Sequence, residues 1–400
     1  MADAANLPLA GTKVVEFTHM VMGPTVGCIL ADLGAEAIKI EPLKGDNTRR
    51  LKGSGSGYFP MFNRNKRSIC LDLKNETGHG IALDLIKQAD IIIENFRPGA
   101  MDKLGFGYDA LKAINNGLIY CSEKGFLSGP YEERTALDEV AQMMGGLAYM
   151  TGPPGQPLRA GASVIDITGG MFGVIGILSA LVSRNQTGEG QHVVASLYET
   201  SVYLVGQHMA QYGVTGAPAN PMPARVSAWA IYDVFETKDD DKVFVGVVSD
   251  TQWKNFCEAF GLDELWANEE LRLNNGRVDA RPWLKPQIDE VFKGYDKADL
   301  MAKLEATGVP FAPIAKPHEL FDDPHLNAGD GLSEVTLTDG DGAGRKISLP
   351  NMPLSIGGER MGVRIDLPRQ GQHTKEVLAE LGHDDLAIAK MVEDGIAAGE

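Results

Sequence analysis

Within its first 125 residues the chain repeats one pattern: a short β-branched run, a turn, a helical stretch and another β-branched run. In "TKVVEFTHMVMGPTVGCILADLGAEAIKIE" a strand over 14–17 meets a Gly-Pro turn, a helix over about 25–33 and a strand over 37–40. "SICLDL", "GHGIALDLIKQA" and "DIIIENF" follow the same order, and "LIYCSEKGF" supplies a further strand. Parallel strands need such crossovers, so the expected class is α/β, with a large doubly wound, Rossmann-like parallel-sheet domain. Polar residues cluster just after the strands, where such sheets bind ligands.

With 400 residues the chain is long enough for a second core. The large domain is expected over 1–214, and the Pro- and Ala-rich "TGAPANPMPARVSA" reads as a linker over 215–227. "AIYDVFETKDDDKVFVGVV" reads as a hairpin opening a smaller α+β domain over 228–325. A second linker is expected over 326–342, after which 343–400 returns to the large domain with two amphipathic helices broken at Gly382.

A formal charge of −17 argues against nucleic acid as partner. From Lys39 to Lys74, however, nine basic and three acidic residues give a net of +6. That segment is either a site for a compact polyanion such as a nucleotide-bearing cofactor or a solvated basic loop. Cys28, Cys70, Cys121 and Cys257 form no C-x-x-C pair, which fits a reducing cytoplasm and no disulfide framework. The opening "MADAANLPLAGTKVVEF" shows no basic leader, and the longest nearly apolar run, Gly169 to Val182, falls short of a membrane span. No dinucleotide fingerprint follows the first strand. "TDGDGAG" has Pro350 where a calcium loop needs its Glu, and no His spacing suggests a metal, so no metal is expected.

In "RAGASVIDITGGMFGVIGILSAL" an extended stretch over 162–165 leads to a single acid, Asp166, and Thr-Gly-Gly opens a long apolar helix. Local sequence favours Asp166 as a helix N-cap. The same geometry also suits chemistry. The helix dipole and free N–H groups would hold the carboxylate ionised, and Gly169 and Gly170 would let backbone amides approach whatever is bonded to it. Such an Asp is a candidate nucleophile on an activated acyl group. Asp138 and Glu139, in "RTALDEVAQMMGG", sit at another loop-to-helix junction, where capping again competes with a role beside Asp166.

Taken in order, "GTKVVEFTHMVMGP", "LGAEAIKIEPLKGDNTR", "FNRNKRSICLDLK", "ADIIIENFRPGAMDKLGFGYD", "LDEVAQMMGGLAYMTG", "DITGGMFGVIGILSALVSRNQTGEGQHVVASLYE" and "GQHTKEVLAELG" resemble the class III CoA-transferase family. This group includes formyl-CoA:oxalate and carnitine CoA-transferases and the α-methylacyl-CoA racemases. The resemblance implies an enzyme that moves CoA from an acyl-CoA donor, succinyl-CoA by its closer likeness, to a free dicarboxylate or related acid. Asp166 would form an aspartyl anhydride and then an aspartyl-CoA thioester, with CoA or acyl-CoA as substrate and no permanently bound cofactor. It also implies an interlocked homodimer.

Residue by residue, the resemblance places Val21 and Met22 beside the thioester and Leu71, Asp72, Leu73 and Lys74 near the adenine and ribose. Asn95, Phe96 and Arg97 form a backbone cradle, Lys103 meets the nucleotide phosphates, and Asp138 is the second carboxylate. Arg134 and Thr135 stand where a basic residue is expected, and His19 matches a transferase His. His19, Arg49, Tyr149 and residues near Arg225 are candidates for the acceptor pocket. The family's formyl-CoA transferases carry Gln at Val21, and its racemases carry a His base at Leu137. A racemase or isomerase, and a non-catalytic CoA-binding protein built on the basic segment, are the alternatives.

Overall fold

The structure is a computed structural model that describes residues 6–225 and 227–399. The first five residues of the stretch read as lacking a leader, Val226 within the expected 215–227 linker, and Glu400 lie outside the described residues. The chain divides into two compact units, one of residues 1–223 and 324–400 and the other of residues 224–323.

In the larger unit the elements run β1 (Lys13–Phe17), α1 (Met22–Asp32), β2 (Glu36–Glu41), α2 (Tyr58–Phe62), β3 (Lys66–Leu71), α3 (Glu76–Lys87) and β4 (Ile91–Glu94). They continue through α4 (Ala100–Lys103), α5 (Tyr108–Ile114), β5 (Ile119–Lys124), α6 (Asp138–Met144), α7 (Leu147–Thr151) and α8 (Val164–Thr187) to β6 (His192–Ser196), α9 (Leu197–Leu204) and α10 (Gly206–Thr215). The smaller unit holds β7 (Tyr232–Glu236), β8 (Lys242–Gly246), α11 (Asp250–Phe260), α12 (Asp263–Ala267), α13 (Asn274–Phe292), α14 (Lys297–Glu305) and β9 (Phe311–Pro313). Back in the larger unit come α15 (Pro324–Ala328), β10 (Leu332–Thr336), β11 (Lys346–Pro350), β12 (Ser355–Ile356), β13 (Glu359–Arg360), α16 (Thr374–Glu380), α17 (Asp385–Glu393) and β14 (Ala397–Ala398).

Seven strands form the main sheet in the order β14-β3-β2-β1-β4-β5-β6, parallel throughout except for β14. Strand order reverses at β1, which pairs with β2 on one side and β4 on the other, Val15 lying opposite both Ile38 and Ile92. The period-2 alternation of each strand fills two cores. Val15, Phe17, Ile92 and Ile69 point to one face, under α3, α16 and α17. Val14, Ile91, Ile93 and Cys121 point to the other, where they meet Val26 and Leu30 of α1 and Val174 and Ile177 of α8. The smaller unit buries its own core, around Trp253, Phe256, Phe292 and the antiparallel β7–β8 hairpin.

Two expectations change. The segment 326–342 is more than a linker: it carries β10, which pairs antiparallel with β11, Val335 opposite Ile347, so that ladder bonds satisfy its backbone. The helix expected to open at the Gly pair begins earlier, at Val164, and Gly169 and Gly170 lie within it, buried. A Cβ on Gly169 would lie 2.6 Å from Met22 Cε, and one on Gly170 would lie 2.8 Å from the Met22 carbonyl oxygen. These residues are small because α8 crosses the first turn of α1 at backbone contact, which a side chain would block.

Among the described residues α8 is the one helix long and apolar enough to cross a membrane, with a mean hydropathy of 1.9. One face packs on α1 and the sheet. The other leaves Met171, Ile175 and Val182 exposed.

The basic segment also differs from expectation, since four of its nine basic residues are buried, while Lys44, Arg50, Lys52 and Lys74 stay exposed. Lys39 and Lys66 are fully buried on Glu16, at 3.6 and 2.9 Å, and Lys39 also reaches Asp46 at 3.2 Å. Arg49 grips both oxygens of Glu41 at 2.6 and 2.8 Å and donates to Asp339 at 2.9 Å. Arg64 is paired with Asp32 at 2.7 Å, and Arg67 with Glu376 and Glu380. Buried cations need such partners, so Lys39, Lys66, Arg49 and Arg64 hold elements together and present no positive face to a polyanion.

Candidate active site

A cleft of about 350 Å³ opens beyond the C-terminal ends of β1, β4 and β5, beside the strand-order reversal. Its walls come from the loop after β1 (His19, Met20), the start of α1 (Met22), the turn after β4 (Asn95, Phe96, Arg97), the end of β5 (Glu123, Lys124), the segment 134–139 and the start of α8 (Ser163, Asp166). A second hollow of about 420 Å³ shares His19, Met20, Phe96 and Arg97 with it and extends past Ile40, Pro42 and Thr48, making one groove.

Asp166 is the third residue of α8, so it is not the N-cap. Ser163 occupies that position without a side-chain cap bond. The cap comes from Asp138, whose Oδ2 accepts from the Ile165 N–H at 2.9 Å and the Asp166 N–H at 3.2 Å. Asp138 is itself fixed: its Oδ1 accepts from Gln142 Nε2 at 2.5 Å and Arg159 Nη2 at 3.3 Å. Arg159 also pairs with Glu139 and donates to the Ala160 and Ala162 carbonyls, while Gln142 Oε1 accepts from Ala160 N–H. The two carboxylates of α6 are thereby tied to the chain entering α8.

This corrects the expectation that the α8 terminus holds Asp166 ionised. Burial first, and then the Asp138 and Glu139 charges, push the Asp166 carboxyl up to about 7, with Arg159 acting in the opposite sense. The helix amides that would favour its charge serve Asp138 instead. Gly169 and Gly170, inside the helix, offer no open amides.

His19 is held by Asn95, which accepts from the His19 backbone N–H at 3.0 Å, faces Nδ1 at 3.2 Å and donates to the His19 carbonyl at 2.8 Å. Burial lowers its pKa despite the nearby Asp46 charge, so the ring is neutral at pH 7. Its neighbour Met20 adopts φ 63°, a strained conformation for this side chain, with its N–H on Thr48.

Of the residues expected in the site, the cleft gathers His19, Met22, Asn95, Phe96, Arg97, Arg134, Thr135, Asp138 and Asp166. Val21 is buried at the start of α1, where its carbonyl accepts from Thr25, and it does not line the cleft. Leu71 is core, Asp72 closes a turn by accepting from the Lys74 N–H, Leu73 packs against the same core, and Lys74 and Lys103 are exposed. None of these five lines either hollow. Of the acceptor-pocket candidates besides His19, Arg49 is committed to Glu41 and Asp339, Tyr149 donates to the Ala219 carbonyl outside the cleft, and Arg225 belongs to the smaller unit.

Sequence reasoning missed Glu123, Tyr58 and Arg159. For Glu123 a signal existed: Ile119, Cys121 and Glu123 share one face of β5, so the third position puts an acid where the strand's inner face demands an apolar side chain.

A family model for CoA-transferase family III matches residues 9–374. The chain belongs to that family. It is 33% identical over 400 residues to a succinate–glutarate CoA-transferase of Agrobacterium fabrum, covering 95% of this chain and 98% of that one. It is likewise 33% identical to a formyl-CoA:oxalate CoA-transferase of Streptomyces avermitilis, covering 97% and 99%. A crystal structure of a CaiB/BaiF family protein from Brucella suis superposes with a TM-score of 0.82 at 33% identity, covering 94% of this chain and 100% of that one. This CoA-transferase therefore shares its α/β architecture with a solved member, and its substrates are CoA thioesters.

Proposed function

We propose that this CoA-transferase moves CoA from succinyl-CoA to a free dicarboxylate through covalent chemistry at Asp166. The observation that carries the reading is the Asp166 carboxyl, opening onto the cleft at the sheet's switch point with Asp138 locked on the amides behind it. An Asp166 oxygen attacks the thioester carbonyl and expels CoA as its thiolate, leaving a mixed anhydride. The thiolate then attacks the aspartyl carbonyl, which releases the donor acid and leaves an aspartyl-CoA thioester. An acceptor carboxylate repeats these steps in reverse, restoring Asp166. The thioester broken in the donor is matched by the thioester formed in the product, so the exchange uses CoA as substrate and calls for no resident cofactor.

The two hollows share His19, Met20, Phe96 and Arg97 and together offer room for a CoA thioester, with Arg97 and Arg134 on their walls. The CoA-binding alternative rested on the basic segment, four of whose nine basic residues are buried in ion pairs. Racemisation needs a base at Leu137, a side chain with none. The pairing of succinate with glutarate in the Agrobacterium relative's name supports a succinyl donor and glutarate as first acceptor to try. The test pairs succinyl-CoA with glutarate, itaconate, mesaconate, malate, sulfinopropionate and oxalate. Asp166→Ala should lower transfer to the best acceptor by at least about 10³-fold, and a variant as fast as the parent refutes the reading.

The same proposal includes a homodimer. Met171, Ile175 and Val182 on α8, Tyr203 on α9 and Met209, Tyr212 and Val214 on α10 expose an apolar stripe that a second copy would cover. It also includes a reducing cytoplasm as compartment, in keeping with four free, buried cysteines.

A further inference from the structure

Glu123 ends the inner face of β5 as a carboxyl with nowhere to place a charge. It is 3% exposed and lines the cleft that Asp166 enters. Its Oε1 accepts a weak bond from the Cys121 thiol at 3.2 Å, and its Oε2 has no partner among the described residues. Above it, α8 passes at Gly173, where a Cβ would lie 2.0 Å from Oε1 and 3.2 Å from Val26 of α1. The cation that acts on it, Lys124, is bound to Glu94 at 2.6 Å and to the Phe96 carbonyl, on the other face of the strand. An ionised Glu123 would thus be buried against a methylene, a valine and a thiol. The neutral acid, by contrast, carries an O–H that lacks an acceptor.

Resting on the assignment of Asp166 as nucleophile, we infer that Glu123 is a catalytic residue that stays protonated and donates its O–H to the oxyanion formed when Asp166 attacks a thioester. Donors aimed at developing charge in a dry site act strongly on rate, and a protonated carboxylic acid serves this purpose when apolar walls keep it neutral. Two of the amides at the start of α8 that would otherwise serve, those of Ile165 and Asp166, are taken by Asp138. The proton balance is simple. Asp166 oxygen bonds to the carbonyl carbon, the oxyanion accepts from Glu123, and collapse breaks the C–S bond with Glu123 still holding its proton.

Burial first, with Glu94 and the charged Asp166 adding to it against Cys121 and Lys124, raises the Glu123 carboxyl to about 8. Asp166 titrates first and Glu123 then feels its charge. The reactive form, Asp166 ionised and Glu123 protonated, therefore grows in as pH rises through about 7 and is lost above about 8.

The test measures kcat and KM for succinyl-CoA across pH in Glu123→Leu, Glu123→Gln and Asp166→Ala. Glu123→Leu, which has no donor, should lose about 10²–10³ in kcat with KM changed by less than about threefold. Glu123→Gln retains an N–H and no charge, so kcat should fall by less than about tenfold and the alkaline fall should disappear. Wild-type kcat in Glu123→Leu, or an alkaline fall unchanged in Glu123→Gln, overturns the inference while an inactive Asp166→Ala leaves the underlying mechanism standing. An active Asp166→Ala overturns both.

Discussion

At the scale of single residues, the cleft works by setting carboxyl groups against one another. Asp138 is held by two helix amides and by Arg159, and its proximity raises the Asp166 carboxyl. In the proposed mechanism the two acids divide the labour, Asp138 anchored on backbone amides and Asp166 raised to about 7. Because Arg159 is the cation opposing the rise, Arg159→Met should move the acidic limb of kcat/KM to higher pH. Removing Glu139, whose charge contributes to the rise, should move it lower, as Glu139→Gln. The sign follows from the charges: losing a cation disfavours the Asp166 carboxylate, and losing an anion favours it. Identical acidic limbs in both variants would contradict this account of the site's electrostatics.

At the scale of elements, the decisive contact is α8 on the first turn of α1. Adding a methyl group at Gly169 meets the mobile end of Met22, which can turn aside, whereas adding one at Gly170 meets the Met22 carbonyl oxygen, which cannot. Alanine gains up to about 1 kcal/mol over glycine in a helix interior, and overpacking against backbone costs about 1–3 kcal/mol. Gly169→Ala should therefore unfold in denaturant close to the parent, and Gly170→Ala should be measurably less stable. Most of the elements were readable from sequence, because the strands 14–17, 37–40 and the "DIIIENF" run announce themselves by β-branched residues with turns between them. The start of α8 was not, since "TGG" looks like a turn when the neighbour that requires small residues is more than 140 positions away in sequence. Nor was β14, whose two residues leave no periodic trace. Asp166 stood out as an isolated acid before an apolar helix, yet its cap, Asp138, lies 28 residues upstream, and local patterns cannot report such a bond.

For the whole molecule, the sequence charge misled because charge counts carry no direction. Lys39, Arg49, Arg64 and Lys66 read as part of a positive segment and fold into ion pairs beneath the surface, while Arg97 and Arg134 line the cleft. The apolar stripe of α8, α9 and α10 carries the homodimer proposal. Ile175→Lys, which puts a charge in the middle of that stripe, should shift the sedimentation coefficient from dimer toward monomer, and a parent protein that sediments as a monomer would refute the assembly.

The central claim is that turnover passes through an acylated Asp166. Wild-type protein is incubated with succinyl-CoA, quenched with hydroxylamine, digested and read by mass spectrometry. The account predicts a hydroxamate on the peptide carrying Asp166, formed only when the thioester was present and missing from Asp166→Ala. An unmodified Asp166 peptide from protein that is actively exchanging CoA between acids would contradict it.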